Sequence, residues 1–146
     1  MDIRHRIGAR SATPDQVFAA LTTLDGLSGW WTTDTTGDPD LGGRITFRFA
    51  GGTIEVEVRE LDAGKRVGWT VVGGPDDWLG TTITFELREE DDFTIVSFRH
   101  EGWASATDFM DHCSTKWAVF LLSLKSLLET GAGAPHPDDQ EVDSWD

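Results

Sequence analysis

Tyrosine is absent from this chain and cysteine occurs once. The single thiol, Cys113, excludes an intrachain disulfide, and no Cys-x-x-Cys or clustered His/Cys spacing indicates a metal site. No apolar run approaches the roughly 18–20 residues of a membrane span. Residues 1–10 carry charges but lack the apolar core of a signal peptide. We therefore expect a cytoplasmic protein without a metal or other cofactor.

Basic side chains are also scarce, with 12 Lys and Arg against 26 Asp and Glu and a net charge of −14. Nucleic acids and anionic membranes are bound by clustered Lys and Arg, so this balance argues against both as partners. The segment 135–146 contains five acidic residues and no Lys or Arg. We expect one domain over residues 1–131 and a solvated, disordered acidic tail over residues 132–146, in which only Trp145 could dock.

Tryptophan and phenylalanine are abundant, with seven Trp and eight Phe among 146 residues. Each Trp brings a large apolar surface and one N–H that needs a hydrogen-bond acceptor when it is buried. The composition alone leaves two interpretations open, a large aromatic core or an aromatic-lined cavity.

Alternating apolar and polar residues predict six strands. These strands cover residues 3–10, 45–49, 54–58, 67–71, 81–88 and 93–101. Between the first two, Thr13, Pro14 and Gln16 have the spacing of a capping box with proline at the first helical position, which predicts a short helix. A second short helix is predicted from Leu24 to Trp31, followed by a loop over residues 34–43. Short turns between the later strands favour an antiparallel meander.

The last predicted element is a helix of about six turns. Ser105 and Asp108 have capping-box spacing, and Gly131 marks the end of the helix. One apolar stripe runs along it, and the concave face of a curved sheet is the surface available to bury that stripe. The sequence therefore predicts an α+β fold, a curved antiparallel six-stranded sheet around a long C-terminal helix, with two short helices after the first strand.

A helix across a curled sheet cannot contact every strand, so we expect a pocket at one end of the sheet. Its candidate ligand-binding residues face inward from the sheet, the second helix or the last helix: Trp31, Phe47, Trp69, Trp78, Phe85, Phe98, His100, Phe109, Cys113 and Trp117. Packing in the core is the alternative role for each aromatic side chain. His100 is interpreted as a hydrogen-bonded structural residue rather than an acid–base catalyst, and Cys113 as a small buried hydrophobe rather than a reactive thiol. We identify no catalytic residue.

Several local sequences, in order, resemble a known family. They are residues 12–18 (ATPDQVF), 30–31 (WW), 42–43 (GG), 61–69 (LDAGKRVGW), 100–103 (HEGW) and 121–129 (LLSLKSLLE). Together they are similar to the START/polyketide cyclase-like superfamily, and most closely to its Hsp90 ATPase activator-like branch. The resemblance spans roughly residues 3–131.

This resemblance implies a helix-grip fold with a deep cavity between the sheet and the long helix. Members of the superfamily bind hydrophobic small molecules, and a minority are polyketide cyclases or aromatases. The co-chaperone that names the branch has a further N-terminal domain without a counterpart in this sequence, so we do not expect chaperone activation. The first hypothesis is a binder of a small hydrophobic ligand without catalysis. A cyclase-type enzyme and a co-chaperone-like interaction module are the alternatives, and a homodimer is left open.

Overall fold

A single antiparallel sheet of seven strands organises the protein, and the computed structural model describes residues 1–146. The strands are β1 (Asp2–Arg10), β2 (Thr35–Gly37), β3 (Arg44–Phe49), β4 (Gly52–Asp62), β5 (Arg66–Gly73), β6 (Thr82–Glu90) and β7 (Phe93–Glu101). Their spatial order is β1-β7-β6-β5-β4-β3-β2, so β3 to β7 form a meander and β1 adds beside β7. The predicted fold class is confirmed. The sheet has one more strand than expected, because the predicted loop contains the short edge strand β2.

The helices are α1 (Pro14–Thr22), α2 (Leu24–Trp30) and α3 (Asp108–Thr130). The capping box predicted for α1 is present, since Gln16 N donates to Thr13 Oγ1 at 3.1 Å and Thr13 N donates to Gln16 Oε1 at 2.9 Å. The cap predicted for α3 is wrong: the N-cap is Thr107, whose hydroxyl accepts from Met110 N at 3.2 Å. Gly131 ends α3 as predicted, in a left-handed conformation with φ of 86°. None of the three helices is both long enough and apolar enough to cross a membrane.

The pairing of β4 with β5 shifts register twice, between Glu55 and Val56 and between Val58 and Glu60. Such bulges bend a strand and increase its twist. The inward-facing side chains of the strands form the core with one face of α3 and with α1 and α2. Its largest fully buried side chains include Trp30, Trp31, Trp69, Trp117, Phe47, Phe85 and Phe98.

Helix α3 is fastened to the edge strand β1 by polar contacts. His5 Nε2 lies 3.0 Å from Ser114 O, Lys125 Nζ donates to Gly8 O at 2.5 Å, and Arg10 N donates to Glu129 Oε2 at 2.7 Å. These contacts cover part of an edge that would otherwise present unpaired backbone groups. The contacts of Lys125 and Glu129 also hold the C-terminal end of α3, which lies farthest from the groove described below.

The acidic segment after Gly131, expected to be disordered, folds back over the domain. His136 N donates to Trp31 O at 2.8 Å, and Thr33 N donates to His136 O at 3.2 Å. Lys116 on α3 forms ion pairs with Asp139 and Asp146. The ring of Trp145 lies 6.4 Å from that of Phe109 and remains more than half exposed. This path brings the tail beside α3.

Candidate functional site: an aromatic groove beside the last helix

A groove of about 970 Å³ opens between the β3–β4 hairpin, the loop after β5 and the N-terminal half of α3. Phe49 and Ile54 line it from the sheet, and Trp78 lines it from a 3-10 turn (Asp76–Trp78). Residues at helical spacing face it from α3: Phe109, His112, Cys113, Lys116, Trp117 and Phe120. The acidic tail forms its remaining side, with His136, Asp139 and Asp146 among the lining residues.

Four tryptophans line this groove, and three of them form a connected aromatic wall, while Trp145 of the tail is the fourth. The Trp31 and Trp117 centroids lie 4.9 Å apart, and Trp78 stacks on Trp117 at 5.9 Å with an interplanar angle of 21°. The indole N–H of Trp78 is buried and has no hydrogen-bond partner. The indole N–H of Trp103, which lies outside the groove, is also buried without a partner. An unpartnered buried donor is uncommon in native proteins, and an acceptor supplied by a ligand would satisfy it.

Half of the predicted ligand-binding residues line the groove: Trp31, Trp78, Phe109, Cys113 and Trp117. The other half lie in the core instead, outside the groove lining: Phe47, Trp69, Phe85, Phe98 and His100. The core aromatic side chains form a packed series that reaches the groove wall. Phe85 contacts Phe98 edge to face at 5.3 Å, and Phe98 lies 4.5 Å from Trp117. The alternation of the strands predicted their inward direction, but not which of them the helix would cover.

His100 is fully buried and hydrogen-bonded on both ring nitrogens. Trp117 Nε1 donates to Nδ1 at 3.1 Å, so the ring proton lies on Nε2, which donates to Thr81 Oγ1 at 2.8 Å. The Thr81 hydroxyl in turn donates to Trp78 O at 2.5 Å. Burial lowers the pKa of His100 to about 3, because the charged form would lose its hydration. This neutral imidazole orients two of the groove tryptophans, since it bonds the Trp117 indole directly and the Trp78 backbone through Thr81.

Cys113 lies in the groove wall with little of its side chain exposed. Burial raises the pKa of this thiol to about 11, and the nearby Trp78 indole opposes that rise without forming a hydrogen bond of ordinary geometry. A thiol protonated at neutral pH is a poor nucleophile. Its environment therefore favours the interpretation as a small apolar wall residue.

The polar rim of the groove was missed by the sequence reasoning. The side chain of His112 is mostly buried, and its Nδ1 lies 2.8 Å from Asp143 Oδ2. Lys116, one turn further along α3, pairs with Asp139 and Asp146. The sequence does contain one indication of this rim, because His112 and Lys116 are four residues apart on the helix and directly precede the groove residues Cys113 and Trp117. Their partners could not be found, because they come from the tail.

One set of side chains on this rim could hold a metal ion. Ligand atoms of His112, Asp143 and Asp146 lie within 4.8 Å of one another. Lys116 Nζ already donates to Asp146 Oδ2 at 3.0 Å. A cation beside one carboxylate competes with a metal for it.

The family model of the Activator of Hsp90 ATPase homolog 1-like protein matches residues 11–129. The chain belongs to this family. The predicted resemblance to the START/polyketide cyclase-like superfamily and its Hsp90 ATPase activator-like branch is thereby confirmed. None of the curated proteins matches the chain.

Solved structures share the fold. The Aha1 dimer from Colwellia psychrerythraea is 48% identical, with a TM-score of 0.84 over 91% of this chain and 99% of that one. Protein SSP2350 from Staphylococcus saprophyticus is 19% identical, with a TM-score of 0.75 over 91% and 95% of the two chains. DynU16, from the dynemicin biosynthetic locus, is 19% identical, with a TM-score of 0.77 over 92% of this chain and 49% of its own. The last two show a common fold alone.

Proposed function

We propose that this protein binds a small, largely apolar molecule in the groove between the sheet and α3, without catalysing a reaction on it. The observation that carries the proposal is the groove itself, about 970 Å³ in volume with a wall of three tryptophans. Ligand sites in proteins are typically concavities of about 300–1,000 Å³, lined by apolar and aromatic side chains with a few polar groups. The unpartnered indole N–H of Trp78 would be one such polar group.

A cyclase-type activity has less support from the geometry. Such chemistry needs an acid or base within hydrogen-bonding reach of the reacting group. The candidate from the sequence, His100, lies behind the groove wall with both ring nitrogens engaged by Trp117 and Thr81. DynU16 resembles this chain in fold only, so it adds no support for that activity.

The binding proposal is tested by titrating the protein with phenylnaphthylamine, a neutral aromatic dye that fluoresces in apolar surroundings. Ile54, half-buried on β4, faces the groove, and Ile54→Asp would place a charge on its apolar wall. We expect this change to weaken binding at least about tenfold, because the carboxylate must be desolvated when the dye binds. Leu79→Asp is the matched control, since Leu79 is exposed outside the groove. No binding to the unmodified protein, or equal loss in both variants, contradicts the proposal.

A second candidate function, action on an Hsp90-type chaperone as a co-chaperone-like interaction module, is favoured by the family match and by the 48% identity to an Aha1 protein. The test adds the protein to the Hsp90 homologue of its source and measures the ATPase rate. A rate that rises with the added protein supports this function, and an unchanged rate with no detectable complex contradicts it.

Self-association is proposed on the same basis. The Colwellia psychrerythraea structure is that of a dimer, and this chain covers 99% of it. We expect a homodimer, and sedimentation equilibrium gives the mass directly. A mass equal to one chain at all concentrations tested rules it out.

A further inference from the structure

The groove rim gathers basic side chains in a protein whose net charge is −14. Lys116 and His112 line the groove from α3, and His136 lines it from the tail itself. Each of them bonds to a carboxylate of the acidic tail. Lys116 pairs with Asp139 and, at 3.0 Å, with Asp146; His112 lies 2.8 Å from Asp143; and His136 Nδ1 lies 3.1 Å from Asp139. The tail therefore places acid groups where the groove presents its basic groups.

The contacts of Lys116 differ from the ordinary surface ion pairs of this protein. The side chains of Lys116, Asp139 and Asp146 are only 15%, 9% and 12% exposed, whereas those of the Arg48–Asp34 pair are 45% and 58% exposed. Burial lowers the pKa of Lys116, but the hydrogen bonds that its ammonium donates to Asp139 and Asp146 outweigh the effect of burial, and the net result is a raised pKa. When a shielded ammonium group loses its carboxylate partners, the cost of removing its charge from water is no longer compensated, so it binds another anion readily.

The charge of Lys116 also lies beside the apolar surface of the groove. Its Nζ is 5.2 Å from the centroid of the Phe120 ring, and Phe120 lines the groove together with Trp117. A molecule with an acid group at Lys116 can therefore extend its apolar body along these rings.

We propose that the ligand of the groove is an organic anion with an apolar, aromatic-sized body, whose acid group binds Lys116 in place of Asp139 and Asp146. The acidic tail then occupies the position of the ligand's acid group and competes with it. This inference rests on the proposed function, that the groove binds a small apolar molecule. It adds the charge class of the ligand and a role for the tail.

The test compares two dyes that differ by one group, anilinonaphthalene sulfonate and its neutral parent phenylnaphthylamine. Both are titrated into the full chain and into the variant Asp139→Asn/Asp146→Asn, which leaves Lys116 without carboxylate partners. We expect the sulfonate to bind the variant at least about tenfold more tightly than it binds the unmodified protein, as charge-assisted hydrogen bonds of this kind warrant. The neutral dye should change by less than about threefold.

Two further variants separate a local effect from a change in net charge. Asp138→Asn/Asp62→Asn removes the same amount of charge at two exposed carboxylates that form no ion pair and do not line the groove, and it should leave sulfonate binding nearly unchanged. Adding Lys116→Gln to the Asp139/Asp146 variant should abolish the gain for the sulfonate and spare the neutral dye. Far-ultraviolet circular dichroism checks that each variant is folded.

The outcomes distinguish this inference from the function on which it rests. If neither dye binds any of the folded variants, the proposed function is wrong. If the neutral dye binds but the sulfonate gains no affinity when Asp139 and Asp146 are neutralised, the anionic class and the competing tail are wrong. An equal gain in the Asp138/Asp62 control also overturns the inference, because it would show that only net charge matters.

Discussion

At the scale of single residues, His100 shows how a titratable side chain can serve the groove without entering it. Its Nδ1 accepts from the Trp117 indole, and its Nε2 donates to Thr81, which bonds the backbone of Trp78. Both tryptophans belong to the groove wall. Protonation of Nδ1 would remove the acceptor of the Trp117 indole and place a charge in the core. The groove wall is therefore coupled to the neutral form of one histidine.

This coupling predicts that the protein loses stability in mild acid. The ordinary pKa of His is 6.5, and burial lowers that of His100 to about 3. Between these values the unfolded chain binds a proton that the folded chain does not, so the free energy of unfolding falls as the pH falls. The loss from His100 should be about 2 kcal/mol between about pH 7 and about pH 5. Urea unfolding at the two pH values measures it.

His100→Gln is the comparison variant. This variant should be less stable than the unmodified protein near neutral pH, because it disturbs the two hydrogen bonds of His100. Between about pH 7 and about pH 5, however, the variant should lose about 2 kcal/mol less stability than the unmodified protein loses, because it lacks the titrating imidazole. If both proteins lose equal stability over this range, His100 is not the titrating group.

At the scale of secondary-structure elements, α3 determines where the groove lies, because its N-terminal half supplies one wall. The sequence pattern predicts Ser105 as the N-cap of this helix, but the structure shows Thr107 in that position. Removing an N-cap hydroxyl typically costs about 1 kcal/mol. We expect Thr107→Ala to lower the free energy of unfolding by about this amount. Ser105→Ala, two residues away on the exposed surface, should stay within about 0.5 kcal/mol of the unmodified protein. The reverse order of the two effects in urea unfolding would contradict the assigned cap.

The elements themselves could be read from the sequence because each rests on local signals. The capping box at Thr13, the alternation of the strands and the stripe of α3 predicted the order of elements and the inward direction of Phe47, Trp69, Phe85 and Phe98. The short strand β2 carries too few residues for a periodic pattern. The division of the aromatic side chains between core and groove depends on where α3 crosses the sheet. The pairing of Lys116 with Asp139 depends on contacts between residues 23 positions apart.

At the scale of the whole molecule, the tail is the element whose role differs most from the expectation. The residues of the main hydrophobic cluster all lie between Ile3 and Leu124. The tail adds the contacts of His136 with Trp31 and Thr33 and the ion pairs of Lys116. The core thus belongs to residues 1–131, and the tail contributes to one side of the groove.

A chain that ends at Gly131 tests the predicted domain boundary. We expect it to fold cooperatively, because it keeps the whole hydrophobic cluster. It should be less stable by about 2 kcal/mol, since it loses two backbone hydrogen bonds and leaves Lys116 unpaired. Thermal unfolding followed by circular dichroism measures both properties. A truncated chain without a cooperative transition would place the tail within the domain.

The central claim, that the groove binds an apolar ligand, is tested most directly by the indole N–H signals of a nitrogen-15 correlation spectrum during titration with phenylnaphthylamine. Each of the seven tryptophans gives one such signal. We predict that the signals of Trp31, Trp78 and Trp117 shift together with one binding curve, with the unpartnered Trp78 N–H among the most affected. The Trp30 signal should move least, because its N–H is bonded to Ala20 O at 3.0 Å inside the core. Shifts confined to Trp30, Trp69 or Trp103, which lie outside the groove lining, or no shifts at all, would contradict the account.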